Sequence, residues 1–507
     1  MKKVVIRFFY ILIILLLMAD SLIYYFKKDF SRDKIFSLSD VSLNLLDAVE
    51  DKVQITYYVS DALKTMYPAV KDIKEFLTSY SKASKNVYLL IQDPAKTNKE
   101  SILTNFGIYP QQIQTTEKNK TSYSDVFSSI ILEYRGKTEV IPFVLSTESL
   151  EYDIDSRLKY LITEVPRRAA LLCANGLSLE TDYRYLIPWL ESSGFICTQV
   201  EADNLPEMNV QIPLVVIGSS LLSAKDVANI EDFVMKGGNA AFCISSNNAN
   251  IYGDWSVTPE KNRNLHDLLD FWGIRIRTEL LLDTSNYRIR MQSPLQNNQV
   301  HNEYVDYPFW IVTTLSGVKT SHPAAVAYSG LEVYWTSPLE LFSSDTADII
   351  PLVSSSTGAW LLKETKDGFN TNPFDIQIPD EATKGVYPVA AVLEGKINGF
   401  YSTGKSSDVR LFAVGDQYML SNMIEYTNSP HNLDFFTNVM LWLSKEDSLL
   451  SIRKNGAQSN QLTKVEDENH FALLKKQTIL VCFILLPLFV VVIYVVITLL
   501  RRRYNNE

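Results

Sequence analysis

The chain has 507 residues, of which 46% are hydrophobic and 21% are charged. That length allows two or three domains with buried cores, and the composition is neither fibrous nor disordered. The formal net charge of −10 argues against a nucleic-acid-binding protein, because such proteins need a basic surface to displace counterions from phosphates.

The N-terminal segment, residues 1–28, begins with the basic residues Lys2 and Lys3 and continues with an apolar run from Phe8 to Met18. No small-residue cleavage site follows this run, so the pattern favours an uncleaved anchor over the alternative, a cleaved signal peptide. We therefore expect residues 1–28 to form a transmembrane helix.

Residues 29–165 alternate strand and helix patterns. The runs "VQITYYVS" and "NVYLLIQDP" are typical of strands, and "AVKDIKEFLTSYSKAS" between them has apolar residues at helical spacing. This βαβ unit predicts parallel strands. The run "VFSSIILEYRGKTEVIPFV" then predicts a hairpin that turns at Arg135 and Gly136. The order predicts a thioredoxin-like α/β domain, without the C-x-x-C motif that redox chemistry would need.

Residues 166–455 predict a larger α/β domain. The strand-like runs "RRAALLCANG", "FICTQVEA", "PLVVIGSS" and "NAAFCISS" alternate with helical patterns, which predicts a parallel sheet covered on both faces. Between about 285 and 400, shorter strands and turn-rich loops predict an insertion or a second layer. The run "DVRLFAVGD" returns to a buried strand, and "NLDFFTNVMLWLSKEDSLLSIRK" predicts one amphipathic helix.

The C-terminal part begins with a polar linker, residues 456–477, and residues 478–507 predict a second transmembrane helix. Its run "ILVCFILLPLFVVVIYVVITLL" is uncharged and long enough to cross a bilayer. Under the positive-inside rule, the basic residues after it place this end in the cytoplasm. Two crossings then predict a two-pass inner-membrane protein with cytoplasmic termini and extracytoplasmic soluble domains. The basic residues are Arg501, Arg502 and Arg503.

The runs "FSLSDVSLNLLDAVEDKVQITYYVS", "IQDP", "PLVVIGSSLLSAKDVANIEDFVMKGG" and "LFAVGDQYMLSN" make nearly the whole chain similar to one family. It resembles the gliding-motility-associated, substrate-binding-like auxiliary proteins of ABC transporters (GldG type). The resemblance implies a membrane-tethered subunit that works with a separate permease, a cytoplasmic ATPase and an envelope substrate or partner. It also implies that the larger domain is flavodoxin-like or amidotransferase-like. Where relatives often carry Gly-His-Gly-Glu, this chain has Asn175 and Gly176 and no histidine.

The stretch "NGFYSTGKSSDVRLFAVGD" matches the phosphate-binding pattern G-x-x-x-x-G-K-[ST] from Gly399 to Ser406. A phosphate-binding loop needs a helix directly after its Lys-Ser pair, because the helix N-terminus supplies unpaired N–H groups. The residues that follow predict a strand instead. We therefore interpret the match as coincidental and expect a loop that leads into a core strand.

Four residues after predicted strands are candidate cleft or ligand contacts: Asn175, Gly176, Ser219 and Asp416. Polar residues at the carboxyl ends of parallel strands are where α/β domains place ligand sites. For Asp416 we favour a different interpretation, in which it caps a helix starting near Tyr418. Ser219 and Ser220 fit no nucleophile elbow, because the motif that would begin at Gly218 requires a glycine where Leu222 stands.

The sequence therefore predicts a non-catalytic accessory subunit of an ABC transporter, with no cofactor and no metal. The alternatives are a tethered solute-binding protein and a tethered envelope hydrolase. A disulfide between Cys173 and Cys197 is compatible with an extracytoplasmic location but has no support in the sequence. His266 is expected on the surface of a helix.

Overall fold

The structure is a computed structural model that describes residues 37–117, 120–294, 300–366 and 368–457. These residues form a mixed α/β architecture with parallel and antiparallel sheets. The predicted N-terminal anchor, the predicted C-terminal helix with its arginines and nearly all of the polar linker lie outside the described residues.

The predicted localisation needs correction. None of the described helices is both long and apolar enough to cross a bilayer, so the structure does not support a two-pass inner-membrane protein with cytoplasmic termini. The prediction depended on the hydropathy of the two terminal segments alone. The longest described helices have 14 residues, and they bury their apolar faces against a sheet.

Eleven elements make up the first part of the described chain. In chain order they are α1 (Asp40–Asp47), β1 (Val53–Val59), α2 (Asp61–Met66), α3 (Ala69–Lys82), β2 (Val87–Gln92), α4 (Glu100–Asn105), β3 (Gln111–Glu117), β4 (Lys120–Val126), β5 (Ser128–Tyr134), β6 (Lys137–Ile141) and α5 (Leu150–Thr163).

Four of these strands form one sheet in the order β2-β1-β5-β6. The predicted βαβ unit and hairpin are confirmed, since β1 pairs in parallel with β2, and β5 pairs with β6 around a tight turn. The turn residues Arg135 and Gly136 have φ values of 48° and 78°, as a type I′ turn requires. The hairpin of β3 and β4 was not predicted, because its sequence is polar and weakly periodic.

One face of this sheet packs against helices α1, α3 and α5. The shared core includes Leu46 from α1, Leu77 from α3 and Leu158 from α5, which meet Ile55 and Ile130 from the strands. Each of these side chains is at most 1% exposed. Burying a leucine or isoleucine side chain contributes about 1.5–3 kcal/mol, so this layer fixes the three helices on the sheet.

The second part contains the remaining strands and helices. In chain order they are β7 (Arg167–Cys173), α6 (Leu186–Ser192), β8 (Phe195–Gln199), β9 (Leu214–Ile217), α7 (Ala224–Met235), β10 (Ala240–Cys243), β11 (Asn247–Ala249), β12 (Val257–Pro259), α8 (Asn264–Phe271), β13 (Ile274–Ile276), β14 (Leu280–Leu282), β15 (Asn286–Pro294), β16 (Val300–Val312), β17 (Glu332–Tyr334), β18 (Leu339–Leu341), β19 (Ala347–Ser354), β20 (Trp360–Leu362), β21 (Pro388–Gly395), β22 (Val409–Val414), α9 (Ile424–Thr427), α10 (His431–Leu443) and α11 (Asp447–Ala457).

Seven of these strands form a second sheet in the order β19-β21-β22-β10-β9-β7-β8. The strands from β22 to β8 are parallel, as predicted, while β21 and β19 extend the sheet with antiparallel pairing. Both antiparallel strands come from the region predicted as an insertion or second layer. Their sequence pattern identifies strands but does not identify the strand that each one pairs with.

Both faces of the seven-stranded sheet are covered. Val215 and Ile217 of β9 pack on the side of α6 and α10, whereas Leu214 and Val216 pack on the side of α7 and α8. All four side chains are 0% exposed. This two-sided burial explains why "LVVI" is continuously apolar rather than alternating.

The helix predicted over "NLDFFTNVMLWLSKEDSLLSIRK" is in fact two helices, α10 and α11. The break is at Lys445, which has a left-handed φ of 58° and donates its backbone N–H to the Trp442 carbonyl at 3.0 Å. Glu446 in the same turn forms an ion pair with Lys159 of α5. The apolar spacing continues through both helices, so no local pattern marks the break.

Helix α5 connects the two large sheets and contacts both α1 and α11. Its Ile154 packs in the core of the four-stranded sheet, while its Tyr152 packs in the core that contains α11. Each predicted α/β domain thus contains one large sheet. The domain boundaries themselves stay predictions.

Ser223 begins α7 with a capping box, in which Asp226 N donates to Ser223 Oγ at 3.2 Å and Ser223 N donates to Asp226 Oδ2 at 2.8 Å. Because Ser223→Ala removes the acceptor for one unpaired N–H group, we expect it to lower the free energy of unfolding by about 1 kcal/mol. Urea unfolding followed by circular dichroism measures this loss. Ser448→Ala, an exposed position in α11, should change it by less than about 0.5 kcal/mol. Equal losses in both variants would contradict the assignment.

Candidate functional site

The carboxyl ends of β7, β9, β10 and β22 lie side by side at one edge of the seven-stranded sheet, because these strands are parallel. The loops that follow them contain the four predicted contact residues, and ligands commonly bind at this edge of an α/β sheet. We name the polar side chains there the carboxyl-edge cluster, which consists of Asn175, Tyr183, Ser220, Asn248, Glu260, Asn262 and Gln417.

Asn175 is half-buried at the end of β7. Its Nδ2 donates to Tyr183 Oη at 2.8 Å, and the Tyr183 hydroxyl donates to the Gln417 carbonyl at 2.8 Å. Asn175 Oδ1 accepts from Leu177 N at 3.1 Å, which closes a turn over Gly176. Gly176 is exposed and has a φ of 80°, a conformation that glycine adopts at no steric cost.

Gly218, at the end of β9, allows Asn175 and Gln417 to approach each other. A Cβ atom at this position would lie 2.3 Å from Asn175 Cβ and 2.7 Å from Gln417 Oε1. The backbone φ of Gly218 is 73°, which also disfavours any other residue. Asn175 after β7 and Gln417 after β22 therefore approach each other at Gly218, which has no side chain.

The other half of the cluster is built around Glu260. Its Oε2 accepts from the Ser220 hydroxyl and from Asn248 Nδ2 at 2.8 Å, while its Oε1 accepts from Asn262 N at 2.6 Å. Burial by itself raises the pKa of Glu260, but the hydrogen bonds from these three partners outweigh it and lower the pKa below its usual value. Gln417 Nε2 donates to Asn248 Oδ1 at 2.8 Å, so the two halves form one network around an ionised carboxylate.

Ser219 does not present its hydroxyl to solvent. It is 2% exposed, and its carbonyl accepts from Asn262 Nδ2 at 3.1 Å. Ser220 donates to a carboxylate rather than to a histidine. A nucleophilic serine needs an accessible hydroxyl beside a base, and this pair of serines does not provide that arrangement.

The hairpin of β11 and β12 lies across the cluster. Tyr252 at its tip donates from its hydroxyl to Asp182 Oδ1 at 2.5 Å, and Ala249 N donates to Tyr418 Oη at 2.8 Å. The hairpin therefore borders this edge and supplies Asn248 to the cluster, while Asn175 stays half-buried and Gly176 stays exposed. Of the cluster, sequence reasoning named only Asn175 as a candidate contact, although the polar runs "SSNNAN" and "DQ" follow β10 and β22 after one intervening residue each. The missed residues are Tyr183, Ser220, Asn248, Glu260, Asn262 and Gln417.

Asp416 is 0% exposed and binds the backbone. Its Oδ2 accepts from Tyr334 N at 2.7 Å, and its Oδ1 accepts from Tyr418 N at 2.6 Å. Burial raises the pKa of Asp416 to about 7 in spite of these hydrogen bonds. The helix expected near Tyr418 is absent from this stretch, and the next helix is α9. Asp416 thus joins the end of β22 to β17.

The pattern from Gly399 to Ser406 forms a narrow loop between β21 and β22. Gly399 N donates to the Gly404 carbonyl at 3.1 Å, and Asn398 pairs with Lys405 in an antiparallel bridge. Strand β22 follows, and Lys405 is exposed. The loop therefore lacks the helix N-terminus on which phosphate binding depends.

The same loop does bind an anion, but the anion is a carboxylate of this chain. Glu231 of α7, which is 1% exposed, accepts from Phe400 N, from Tyr401 N at 2.8 Å and from Ser402 Oγ at 3.3 Å. Successive N–H groups in a turn form an anion-binding concavity. Here Glu231 occupies that concavity and fixes α7 to the loop.

Cys173 and Cys197 are free thiols, so the disulfide between them is not formed. The strand register pairs Cys197 with Ala169, four residues before Cys173. Burial raises the pKa of Cys173 to about 11 and that of Cys197 to about 12, which makes both poor nucleophiles. In the described ranges, no group of three or more His, Cys, Asp and Glu residues is placed to hold a metal ion.

His266 is 1% exposed, and its expected place on a helix surface was wrong. Its Nε2 lies 3.2 Å from the Ser245 carbonyl. Burial, with the neighbouring Arg263 guanidinium, lowers the pKa of His266 to about 4. The helix α8 is buried on more of its circumference than its polar residues suggest, because the sheet covers one side and β13 follows directly.

A cavity of about 500 Å³ lies at the opposite, amino-terminal edge of the parallel strands, with Lys405 in its lining. Four large rings beside it are exposed: Phe271 by 50%, Phe342 by 38%, Phe400 by 41% and Tyr401 by 45%. The rings of Phe271 and Phe400 are 5.2 Å apart, and those of Phe400 and Tyr401 are 4.8 Å apart. We name these four residues the amino-edge aromatic patch.

A family model described as an ABC-type uncharacterized transport system matches residues 166–445, which is more than half of the chain. The chain belongs to this family of ABC transport auxiliary components. A model described as a domain of unknown function matches residues 32–133. An uncharacterized protein of Borreliella burgdorferi strain B31 is 26% identical over 490 residues, covering 96% of this chain and 95% of that protein. These matches support an auxiliary transport component without singling out the gliding-motility type.

Asp416→Asn should destabilise the protein, although it removes a buried charge. An amide has only one acceptor oxygen, so either Tyr334 N or Tyr418 N is left facing an NH₂ group. We expect a loss of about 1–3 kcal/mol in the free energy of unfolding, measured by urea denaturation. The exposed Asp348→Asn on β19 is the matched control. Equal losses in the free energy of unfolding for the two variants would contradict the role of Asp416 in joining the strands.

Glu231→Gln tests the occupied concavity. The substitution keeps the size of the side chain but turns an NH₂ group toward the backbone N–H groups of the loop. We expect it to lower the free energy of unfolding by about 1–3 kcal/mol. Lys405→Ala changes the same loop at an exposed side chain and should cost less than about 0.5 kcal/mol. A larger loss for Lys405→Ala than for Glu231→Gln would refute this account of the loop.

Proposed function

We propose that this protein is a non-catalytic accessory subunit of an ABC transporter and works with a separate permease and a separate ATPase. The strongest support is the loop from Gly399 to Ser406, which is occupied by Glu231. The match to the family of ABC transport auxiliary components supports the same role. Glu231 fills the place that a phosphate would need. ATP hydrolysis then belongs to another chain of the transporter.

The carboxyl edge also favours a non-catalytic role. The polar side chains there hydrogen-bond to one another and to the backbone, and a hairpin borders them. General acid–base chemistry needs a titratable group that can reach a substrate. Glu260 is instead engaged by Ser220, Asn248 and Asn262, which leaves it poorly suited to that task.

The fold fits the architecture that the sequence resemblance implies. We propose that the four-stranded sheet with α3 and α5 is thioredoxin-like and that the seven-stranded sheet is flavodoxin-like or amidotransferase-like. The strand orders β2-β1-β5-β6 and β22-β10-β9-β7-β8 support this proposal.

The amino-edge aromatic patch is the surface we propose for contact with the permease. Monomeric proteins rarely expose several adjacent large rings, and aromatic residues are enriched in the centres of protein interfaces. Arg275, whose guanidinium lies 4.6 Å from the centroid of the Phe342 ring, adds a polar rim through its ion pairs with Asp270 and Glu340. An apolar centre with a charged rim is the usual composition of such interfaces.

A solute-binding protein is the second candidate. The observation that favours it is the cavity beside the patch, because its volume of about 500 Å³ is in the range of small-molecule sites. A bound solute would stabilise the isolated protein by an amount that grows with the logarithm of the ligand concentration above the dissociation constant, whereas a permease contact requires the partner chain.

The proposal predicts that the permease and the ATPase co-purify with the tagged protein from its native host in mild detergent. Truncating Phe271 and Phe400 to alanine should reduce recovery of the permease by at least about tenfold, which corresponds to about 1.4 kcal/mol at the interface. The truncation leaves the backbone N–H contact of Phe400 with Glu231 in place.

Two controls sharpen this experiment. Tyr304→Ala removes a ring that is 60% exposed on β16 and should leave recovery unchanged. Lys405→Ala should leave the ATPase activity of the assembled transporter unchanged. If this variant folds and assembles but loses ATPase activity, the loop has a role in phosphate binding after all. Recovery of the wild-type chain alone, with neither partner, counts directly against the accessory function.

A further inference from the structure

Helices α1, α3 and α5 meet around a buried carboxylate, that of Asp155. This side chain is 0% exposed. Its Oδ2 lies 2.6 Å from Ser42 Oγ of α1, and its Oδ1 accepts from the Tyr80 hydroxyl of α3. The carboxylate thus contacts a side chain from each of the two helices that pack on α5.

A second carboxylate, that of Glu151, lies one helical turn earlier on α5. Its Oε1 accepts from Ser39 N at 2.7 Å and contacts the same Ser42 Oγ that faces Asp155. Ser42 Oγ also lies 2.9 Å from Ser39 Oγ. One hydroxyl oxygen therefore has three oxygen neighbours at hydrogen-bonding distance.

The hydrogen atoms in this group can be counted. Ser42 has one hydroxyl hydrogen and can donate it to Glu151 or to Asp155, but not to both. With both carboxylates ionised, one of the two contacts would place a lone pair against a lone pair. The group is fully satisfied when Asp155 Oδ2 carries a proton and donates it to Ser42 Oγ. Ser42 then donates to Glu151, and Ser39 donates to Ser42.

We propose that Ser42, Glu151 and Asp155 share this one additional proton and form a pH-sensitive latch that holds α1 on α5. Uptake of the proton by Asp155 closes the latch. Its release leaves two carboxylates competing for one hydroxyl, and α1 loosens.

The charged groups on the surrounding helices leave the latch without a compensating cation. Arg157, on α5, lies 3.7 Å from Asp153 and donates to backbone carbonyls. Arg453, on α11, forms an ion pair with Asp434 at 3.2 Å. Among the residues that the structure describes, no lysine, arginine or histidine forms an ion pair with the latch. The groups that face Asp155 are the phenol of α3, the hydroxyls of α1 and the second carboxylate of α5.

Burial raises the pKa of Asp155 to about 7, and the neighbouring Glu151 adds to this, although Ser42 and Tyr80 act in the opposite direction. In the unfolded chain an aspartate titrates near pH 4. The folded state therefore binds more protons than the unfolded state between about pH 4 and pH 7, and the stabilisation is lost as the pH rises through 7.

The position of the latch gives it a wider effect. Helix α1 is the first described helix, α11 is the last, and both contact α5. A change in the packing of α1 on α5 therefore affects the helix that links the two large sheets. The same helix, α5, also contacts α11, the last described helix. This inference stands independently of the proposed transport role.

Hydrogen–deuterium exchange of the α1 amides in the full chain tests the latch. After correction for intrinsic exchange, protection of α1 should fall by about tenfold or more between pH 6 and pH 8.5, since one pKa unit corresponds to a tenfold change. Asp155→Asn presents an NH₂ group to Ser42 and an oxygen to Tyr80, as the protonated acid does. Its α1 protection should therefore stay constant over this range.

Asp47→Asn is the matched control, because it removes an exposed carboxylate from α1 that lies outside the latch. It should behave as the wild type. Infrared spectroscopy provides a second measurement, in which the protonated carboxylic acid signal lost between pH 6 and pH 8.5 should be smaller in Asp155→Asn than in the wild type, because Asp416, whose pKa is also about 7, contributes to both spectra. Constant α1 protection in the wild type, or the same pH dependence in Asp155→Asn, would overturn the proposal.

Discussion

The pairing of five parallel strands, of which the inner four are largely buried, is the constraint on which the rest of the larger sheet depends. Buried backbone groups must be hydrogen-bonded, and the strands β22, β10, β9, β7 and β8 satisfy one another only when they lie side by side. Their apolar side chains fill the layers above and below. Polar residues can then stand only at the two edges, where the strands end and the helices begin.

At those edges the protein uses carboxylates to satisfy its own backbone and side chains. Glu231 binds the N–H groups of one loop, Asp416 joins two strands, and Glu260 collects three donors from neighbouring loops. Asp416 and Glu260 lie at the carboxyl edge, where ligands bind in many α/β proteins, whereas Glu231 fills a loop at the opposite edge. The protein fills both edges with its own side chains, which is compatible with the non-catalytic role that we propose.

Periodicity was sufficient for most of the elements and failed where a distant partner decided the outcome. The runs that became β1, β2, β9 and β10 are strongly apolar or β-branched, so local preference and tertiary structure agree. The break at Lys445 and the burial of His266 left no such signal. Both depend on which elements pack against the helix. The apolar spacing of a helix shows which side faces a core but does not show how much of the remaining surface is covered. The candidate residues at the strand ends lie at one edge of the sheet, but their hydrogen-bond partners come from loops far apart in the chain.

The sequence by itself determined the class of elements, the parallel arrangement of the central strands and the mismatch of the loop from Gly399 to Ser406 with phosphate binding, because these follow from local chemistry. Only the tertiary structure decided that β19 and β21 join the main sheet and that Glu231 fills that loop. It also brought Ser42 and Asp155 together across more than a hundred residues. Contacts between residues far apart in the chain form only when the core is assembled. No local sequence pattern shows which distant residues will then lie within hydrogen-bonding distance.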